Sequence, residues 1–265
     1  MTIIQAIILA IVEGLTEFLP ISSTAHMKFA NPIIGVDPTP FSDMFEIVIQ
    51  LAAILAVVVV YYRKFFDFTR LAFYIKLVIA VIPAVIFGIL LKKHIDSALG
   101  NLYFIAAVMI GGGILFLFVD KWFLNPTIND EARVSNRTAF NIGCFQVLSI
   151  LLPGLSRSAA TIIGGMSQKL SRKAAAEFSF FLAVPTMIAA SVKSFWDVHK
   201  LHPEVLSKDN FTLLGISSIV AFIVAILAIR SFIGFLKKYG FKVWGYYRIV
   251  IGLVMLILLY KGVVK

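Results

Sequence analysis

The chain has 265 residues, of which 60% are hydrophobic and 14% charged, with a formal net charge of +10 and a mean hydropathy of +0.95. Soluble domains carry roughly 25% charged residues, so these values exclude a soluble globular protein and indicate an integral membrane protein. The basic excess is then typical of loops that face anionic headgroups, and it does not indicate a nucleic-acid partner. The only cysteine, Cys144, excludes an intrachain disulfide.

The first apolar segment, residues 3–12, runs directly into the polar stretch EGLTEFLPISSTAH at 13–26. It is too short to cross a bilayer, since a spanning helix needs about 20 apolar residues. The proline and the serines interrupt the helix, so we predict a helix-break-helix unit that enters the membrane without crossing it. Non-helical backbone at that depth is tolerated only when protein or a wet cavity surrounds it.

Six longer apolar segments approach the spanning length, and a second short segment lies between the third and the fourth. Their continuous apolar character differs from the alternating pattern of a membrane β-barrel and predicts transmembrane helices. The short segment, residues 139–152, leads into LPGLSRSAAT and forms a second predicted helix-break-helix unit. The six predicted spans are residues 45–61, 71–91, 102–119, 178–192, 211–229 and 246–260.

The two halves of the chain align when Pro20 is placed on Pro153, an offset of 133 residues. Ser23 then aligns with Ser156. Paired short, interrupted segments in corresponding positions indicate an internal repeat with a site at the repeat interface. We therefore predict an all-α polytopic membrane protein in which each half has one re-entrant unit and three spans. Because three is odd, the second half is inverted relative to the first.

We predict a single membrane domain over residues 1–265, with one repeat half at about 1–125 and the other at about 133–265. The positive-inside rule assigns most basic loop residues, Arg248 among them, to the cytoplasmic side and leaves Arg157 in the membrane interior. This orientation predicts that the first re-entrant unit opens to the outside and the second to the cytoplasm.

Glu13 and Glu17 are four residues apart, so a helix places both carboxylates on one face. Two like charges in a poorly solvated site need a compensating cation or a shared proton. Divalent cations that prefer oxygen ligands fit such a pair, because Mg²⁺ commonly binds one or two carboxylates together with substrate phosphates. The alternative is a solvated helix end at the aqueous rim.

PGLSRSAAT, residues 153–161, combines a chain break with a helix that restarts after it. The free N–H groups of the new helix, nearby hydroxyls and the planar fork of Arg157 describe an anion site. The alternative is that Arg157 neutralises a buried glutamate, and both interpretations can hold together.

Ser23 and His26 provide a hydroxyl and an imidazole close to this carboxylate pair, which are the components of an activated nucleophile. The alternatives are that Ser22 or Ser23 caps the second helix of the unit and that His26 is a packing residue. Structural roles are favoured for the polar residues further along the chain, Glu46, Gln50 and Glu177.

These motifs closely resemble the undecaprenyl-diphosphate phosphatase family, also called the bacitracin-resistance protein family. The resemblance covers the two long motifs EGLTEFLPISSTAH and PGLSRSAAT, with FEIVIQLAAILAV at 45–57, GCFQ at 143–146 and EFSFFLAVP at 177–185. One departure is Ala25, where the family often has glycine; the methyl group restricts φ in the turn before His26.

The resemblance implies a bacterial inner-membrane hydrolase that converts undecaprenyl diphosphate to undecaprenyl phosphate for cell-wall synthesis. It also implies a divalent cation, Mg²⁺ or Ca²⁺, at Glu13 and Glu17, and a site that opens to the periplasm. The expected partners are the polyprenyl diphosphate and membrane lipids, with a homodimer left open. By position, the catalytic residues are Glu13, Glu17, Ser23 and His26, and the phosphate-binding residues are Gly154, Ser156, Arg157, Ser158 and Thr161.

In the expected mechanism Ser23 attacks the terminal phosphorus, with His26 or Glu17 as proton acceptor. Direct attack by water or by His26 is left open. The competing function is a transporter or flippase of a phosphorylated lipid, because inverted repeats with broken helices are also transporter architecture.

Overall fold

The computed structural model describes residues 1–264, and this part of the chain is helical apart from its connections and one isolated β-bridge between Ile128 and Leu170. The predicted domain extends to Lys265, which lies outside the described residues. The helices are α1 (Ile3–Thr16), α2 (Ser23–Ile33), α3 (Pro40–Val60), α4 (Tyr62–Phe65), α5 (Leu71–Leu90), α6 (Lys92–Leu99), α7 (Leu102–Trp122), α8 (Asn136–Leu151), α9 (Arg157–Ser167), α10 (Arg172–Leu201), α11 (Lys208–Tyr239) and α12 (Lys242–Tyr260).

Six helices are long and apolar enough to cross a membrane, which confirms the predicted number of spans: α3, α5, α7, α10, α11 and α12. All of them except α5 are longer than the apolar segments that predicted them, and the largest extensions are in α10 and α11, which have 30 and 32 residues. Hydropathy detects only the apolar part of a helix. The starts of α10 and α11 are set by the hydroxyls of Ser171 and Ser207, which accept hydrogen bonds from the backbone N–H groups of Ala174 and Asn210.

Two short helix pairs, α1–α2 and α8–α9, each contain a break, as the sequence predicts. α1 and α8 have 14 and 16 residues, and α2 and α9 have 11 each. α1 packs on α11 of the other half, while α8 packs on α5, and the long helices α3 and α10 contact each other. Each half therefore supports the broken pair of the other half, and both breaks lie in the interior of the bundle.

Glycines allow the two short entry helices to approach their supports closely. A Cβ on Gly14 of α1 would lie 2.7 Å from the carbonyl oxygen of Ala221 in α11, and one on Gly143 of α8 would overlap the carbonyl of Ala80 in α5. Small residues at helix contacts in membranes permit backbones to come this near. These contacts fix the depth at which each chain break lies.

Candidate active site

The two breaks end at Ser22 and Ser156, which have positive φ values of 69° and 78°. Each hydroxyl accepts a hydrogen bond from the backbone N–H three residues later, at Ala25 and Ala159, both at 3.3 Å. Ser22, and not Ser23, is therefore the N-cap of α2. Non-glycine residues with positive φ are uncommon and concentrate at functional sites.

The cap geometry corrects the repeat alignment by one residue within the break. α2 begins at Ser23 and α9 begins at Arg157, so these two residues correspond in the folded chain. The prolines match at the offset of 133, but the segment from Pro153 to the next cap is one residue longer than that from Pro20. The alignment of Ser23 with Ser156 was therefore wrong in register, because a sequence offset does not detect a loop insertion.

Glu17 lies at the centre of the candidate site and contacts side chains from three other elements. The hydroxyl of Ser23 donates to Oε2 at 2.5 Å, and the Gln50 amide donates to the same oxygen at 3.0 Å. Arg157 donates to Oε1 through Nη2 at 2.9 Å. Both Glu17 and Ser23 are buried. The structure thus joins the two sequence motifs, and it gives Gln50 a contact in the site that sequence reasoning missed.

Ser23 donates to the carboxylate of Glu17. The imidazole of His26 forms its hydrogen bonds with other groups. Nδ1 of His26 is 2.8 Å from the carbonyl oxygen of Ser22, and Nε2 is 2.8 Å from the hydroxyl of Tyr247. Of the two proton acceptors that the sequence left open for Ser23, Glu17 is the one in contact. Tyr247 was missed because nothing in its local sequence distinguishes it from an interfacial aromatic residue.

The hydroxyls of the second break are engaged within the protein. Ser156 and Ser158 are 2.9 Å apart, and Ser158 donates to the carbonyl of Leu19 in the first break at 3.0 Å. Thr161 donates to the carbonyl of Arg157 and lies 2.6 Å from the hydroxyl of Ser179. These contacts hold the start of α9 against the first break. The binding of phosphate by the hydroxyls of Ser156, Ser158 and Thr161 stays a prediction.

Arg248 contacts both breaks. The prediction that it lies in a cytoplasmic loop, which rested on the positive-inside rule, was wrong. Its side chain is fully buried. It donates to the carbonyl oxygens of Pro20 at 3.1 Å, Gly154 at 2.8 Å and Leu155 at 3.0 Å. Among the described residues it has no carboxylate partner within ion-pair distance. The guanidinium therefore adds positive charge between the breaks while satisfying carbonyls that have no helical partner.

Glu13 differs from Glu17 in having an oxygen that nothing satisfies. It is buried, with 2% exposure, and its Oε1 has no hydrogen-bond partner in the described part of the chain. A buried, unpartnered carboxylate oxygen is costly unless a ligand completes it. This donor set fits a hard divalent cation, with Glu13 as the available ligand and Glu17 as its neighbour. Residues 1–264 contain no cluster of three or more His, Cys, Asp or Glu side chains for a metal.

Comparisons with known proteins show the family of the chain. The family model for the bacitracin resistance protein BacA matches residues 6–254, which include both breaks. An undecaprenyl-diphosphatase of Porphyromonas gingivalis is 50% identical over 99% of this chain and 99% of its own length. One of Flavobacterium psychrophilum is 53% identical over 97% and 96% of the two chains, and one of Bdellovibrio bacteriovorus is 42% identical over 99% and 98%.

Proposed function

This chain belongs to the bacitracin resistance protein BacA family, and on that premise we propose that it hydrolyses undecaprenyl diphosphate to undecaprenyl phosphate and inorganic phosphate. The names of its full-length relatives support this activity. The single observation that carries the proposal is the contact of Ser23, Glu17 and Arg157 across the two breaks. The reaction regenerates the monophosphate lipid carrier for cell-wall synthesis.

Arg157 and the start of α9 bind the diphosphate. The guanidinium holds Glu17 with one nitrogen and the carbonyl of Ser179 with the other, at 3.2 Å. It is 13% exposed on its side chain, so N–H groups are left for phosphate oxygens. The helix N-terminus and the buried Arg248 add positive potential where the phosphates carry negative charge.

Ser23 is the nucleophile and Glu17 is its base. The hydroxyl proton passes to Glu17 along the existing hydrogen bond while the serine oxygen bonds to the terminal phosphorus. The bond from that phosphorus to the bridging oxygen breaks, and undecaprenyl phosphate leaves with the electron pair. Water then cleaves the phosphoserine and releases inorganic phosphate.

Glu13, with Glu17 beside it, would hold a divalent cation, Mg²⁺ or Ca²⁺. When bound, it offsets the charge of the diphosphate and of the carboxylates. The free Oε1 of Glu13 supports this assignment. The protein residues then orient the phosphate, accept the serine proton and exclude lipid from the reacting atoms.

The enzyme lies in the inner membrane with its site open to the periplasm. The polyprenyl chain stays in the lipid phase between helices, and only the diphosphate headgroup reaches the two breaks. This orientation rests on the distribution of basic loop residues. It predicts that a membrane-impermeant reagent added outside reaches the site in intact cells.

The test is phosphate release from a polyprenyl diphosphate by the purified protein in detergent. Ser23→Ala should abolish turnover, and Glu17→Gln should lower it by about 10²- to 10⁴-fold through loss of the base. A matched control is Ser42→Ala, which removes another buried hydroxyl. Near-normal turnover of Ser23→Ala together with loss of turnover in His26→Ala would contradict the serine nucleophile. Intact substrate after long incubation of the wild type would favour a lipid carrier instead.

A further inference from the structure

Tyr247 of α12 lies against His26 although 221 positions separate them in the sequence. Its hydroxyl is 2.8 Å from Nε2, and the two rings are nearly parallel, with 12° between their planes and 5.7 Å between their centroids. Tyr247 is 37% exposed, so its hydroxyl lies at the edge of the buried site. The contact connects α12 to the first turn of α2, directly after the first break.

The other nitrogen of the imidazole defines the direction of this hydrogen bond. Nδ1 is 2.8 Å from the carbonyl oxygen of Ser22, which can only accept, so Nδ1 carries a hydrogen. In the neutral imidazole Nε2 is then the acceptor, and the hydroxyl of Tyr247 donates to it. Such a partner fixes both the tautomer and the orientation of a histidine ring.

We infer that Tyr247 is a positioning residue for His26 in the second half of the reaction. Ser23 already donates to Glu17, so the first proton transfer does not require the imidazole. Tyr247 holds the lone pair of Nε2 free of a proton until water takes the place of its hydroxyl. This inference rests on the phosphatase mechanism proposed above.

The step conserves atoms and charge. The water gives a proton to Nε2 of His26, its oxygen bonds to phosphorus, and the bond from phosphorus to the serine oxygen breaks. That oxygen recovers its proton from Glu17. The products are inorganic phosphate and free Ser23, and the imidazolium then releases its proton to solvent near the exposed Tyr247.

Among the described side chains around the imidazole of His26, that of Tyr247 is its direct hydrogen-bond partner. α12 contributes Tyr247 and the charge of Arg248, whereas α7 packs on α2 through the apolar residues Ile105 and Met109. Glu17, which directly follows α1, accepts from Ser23 and has no hydrogen bond to the imidazole. In the described residues, therefore, Tyr247 is the side chain whose removal changes the hydrogen bonding of Nε2.

The experiment compares Tyr247→Phe with Tyr246→Phe, an adjacent tyrosine on α12 that is 53% exposed. Tyr247→Phe should lower kcat by about five- to tenfold and leave KM unchanged, as expected from losing one hydrogen bond. The acid limb of the kcat profile should move to higher pH by about 0.7 unit, because the lost bond stabilised the neutral imidazole. Tyr246→Phe should match the wild type in kcat and in the pH of the acid limb.

A second readout does not depend on activity. Carbethoxylation of His26, followed by mass spectrometry of its peptide, should be faster in Tyr247→Phe than in the wild type, while His94 reacts equally in both. Wild-type values of kcat, acid limb and carbethoxylation rate in Tyr247→Phe would overturn the inference. A lower kcat with an unchanged acid limb would also overturn the inference, because it would mean that Tyr247 acts through packing alone. Full activity of His26→Ala would instead refute the role proposed for His26.

Discussion

Two buried pairs of glutamates in this molecule are satisfied in different ways. The site pair is Glu13 and Glu17, and the lysine-bridged pair is Glu131 and Glu177. Lys64 places its Nζ 2.9 Å from a carboxylate oxygen of each member of the lysine-bridged pair. Arg70 and Lys173 add longer contacts of 3.4 and 3.8 Å to Glu131 and Glu177, respectively. In the site pair, Glu17 alone has a cationic partner within ion-pair distance, Arg157.

Under the proposed function, this difference distinguishes a structural cluster from the active site. Burying a charge costs several kcal/mol unless a partner of opposite charge offsets it. The lysine-bridged pair has such partners within the protein. Its ion pairs connect three parts of the chain: α4, α10 and the loop that precedes α8. The site pair does not, because Oε1 of Glu13 is buried without a hydrogen-bond partner. A site that is completed by its ligand is expected to retain such an unsatisfied group.

Among the changes that distinguish the two glutamate pairs, the largest effect on turnover is expected from Arg157→Ala. It removes the cation of the site pair and a donor to the phosphate, so turnover should fall by about 10³-fold or more. Arg157→Lys should recover only part of this loss, because an ammonium cannot form the planar fork. The measurement is phosphate release per folded protein, checked by gel filtration.

Lys64→Ala is the matched variant in the lysine-bridged pair. It should lower thermal stability strongly, since two buried carboxylates lose their shared cation, and leave turnover of the folded fraction near the wild-type value. Turnover of Arg157→Ala close to the wild type, or a loss in Lys64→Ala as large as in Arg157→Ala, would show that the two clusters do not differ in function.

The sequence predicted the six spans and both helix-break-helix units, because helix length in lipid follows directly from apolar length. It also predicted that the two breaks form one site, since paired interrupted segments indicate a site at the repeat interface. The contact of Arg157 with Glu17 agrees with the alternative that Arg157 neutralises a buried glutamate. The register of the breaks was not predictable, because the cap residue depends on one extra residue in a loop.

Arg248 could have been found from the sequence. It lies inside the predicted span 246–260 and not in a loop, and an ionisable residue within a span indicates a functional or structural site by default. The contact of Tyr247 with His26 carries no such signal. It depends on the packing of α12 beside α7 and α2, and tertiary packing is not encoded in local pattern.

Glu13→Gln should have the next largest effect. It removes the free carboxylate oxygen but keeps the size of the side chain, so turnover should fall by about 10²-fold if a cation contributes several kcal/mol of charge stabilisation. Thermal stability should stay equal or increase, because an uncompensated buried charge is lost. The check is turnover across a titration of Mg²⁺ or Ca²⁺, together with a melting curve. A metal response identical to that of the wild type would remove Glu13 from the cation site.

The smallest effect on turnover is expected from Glu131→Gln, the counterpart in the lysine-bridged pair. Burial is the largest influence and raises the pKa of Glu131, but the hydrogen bonds from Lys64 and Glu177 and the charge of Lys64 together outweigh it and hold this pKa below its usual value. The unfolded chain therefore binds the proton more readily, so the carboxylate stabilises the fold at neutral pH and loses this contribution as pH falls through its folded pKa. The variant should be less stable by about 1 to 3 kcal/mol at pH 7, with unchanged turnover. The gap between the melting curves of wild type and variant should narrow as the pH is lowered below about 4.3, the ordinary value for glutamate. A gap that stayed constant with pH would mean that Glu131 stabilises the fold through its shape and not through its charge.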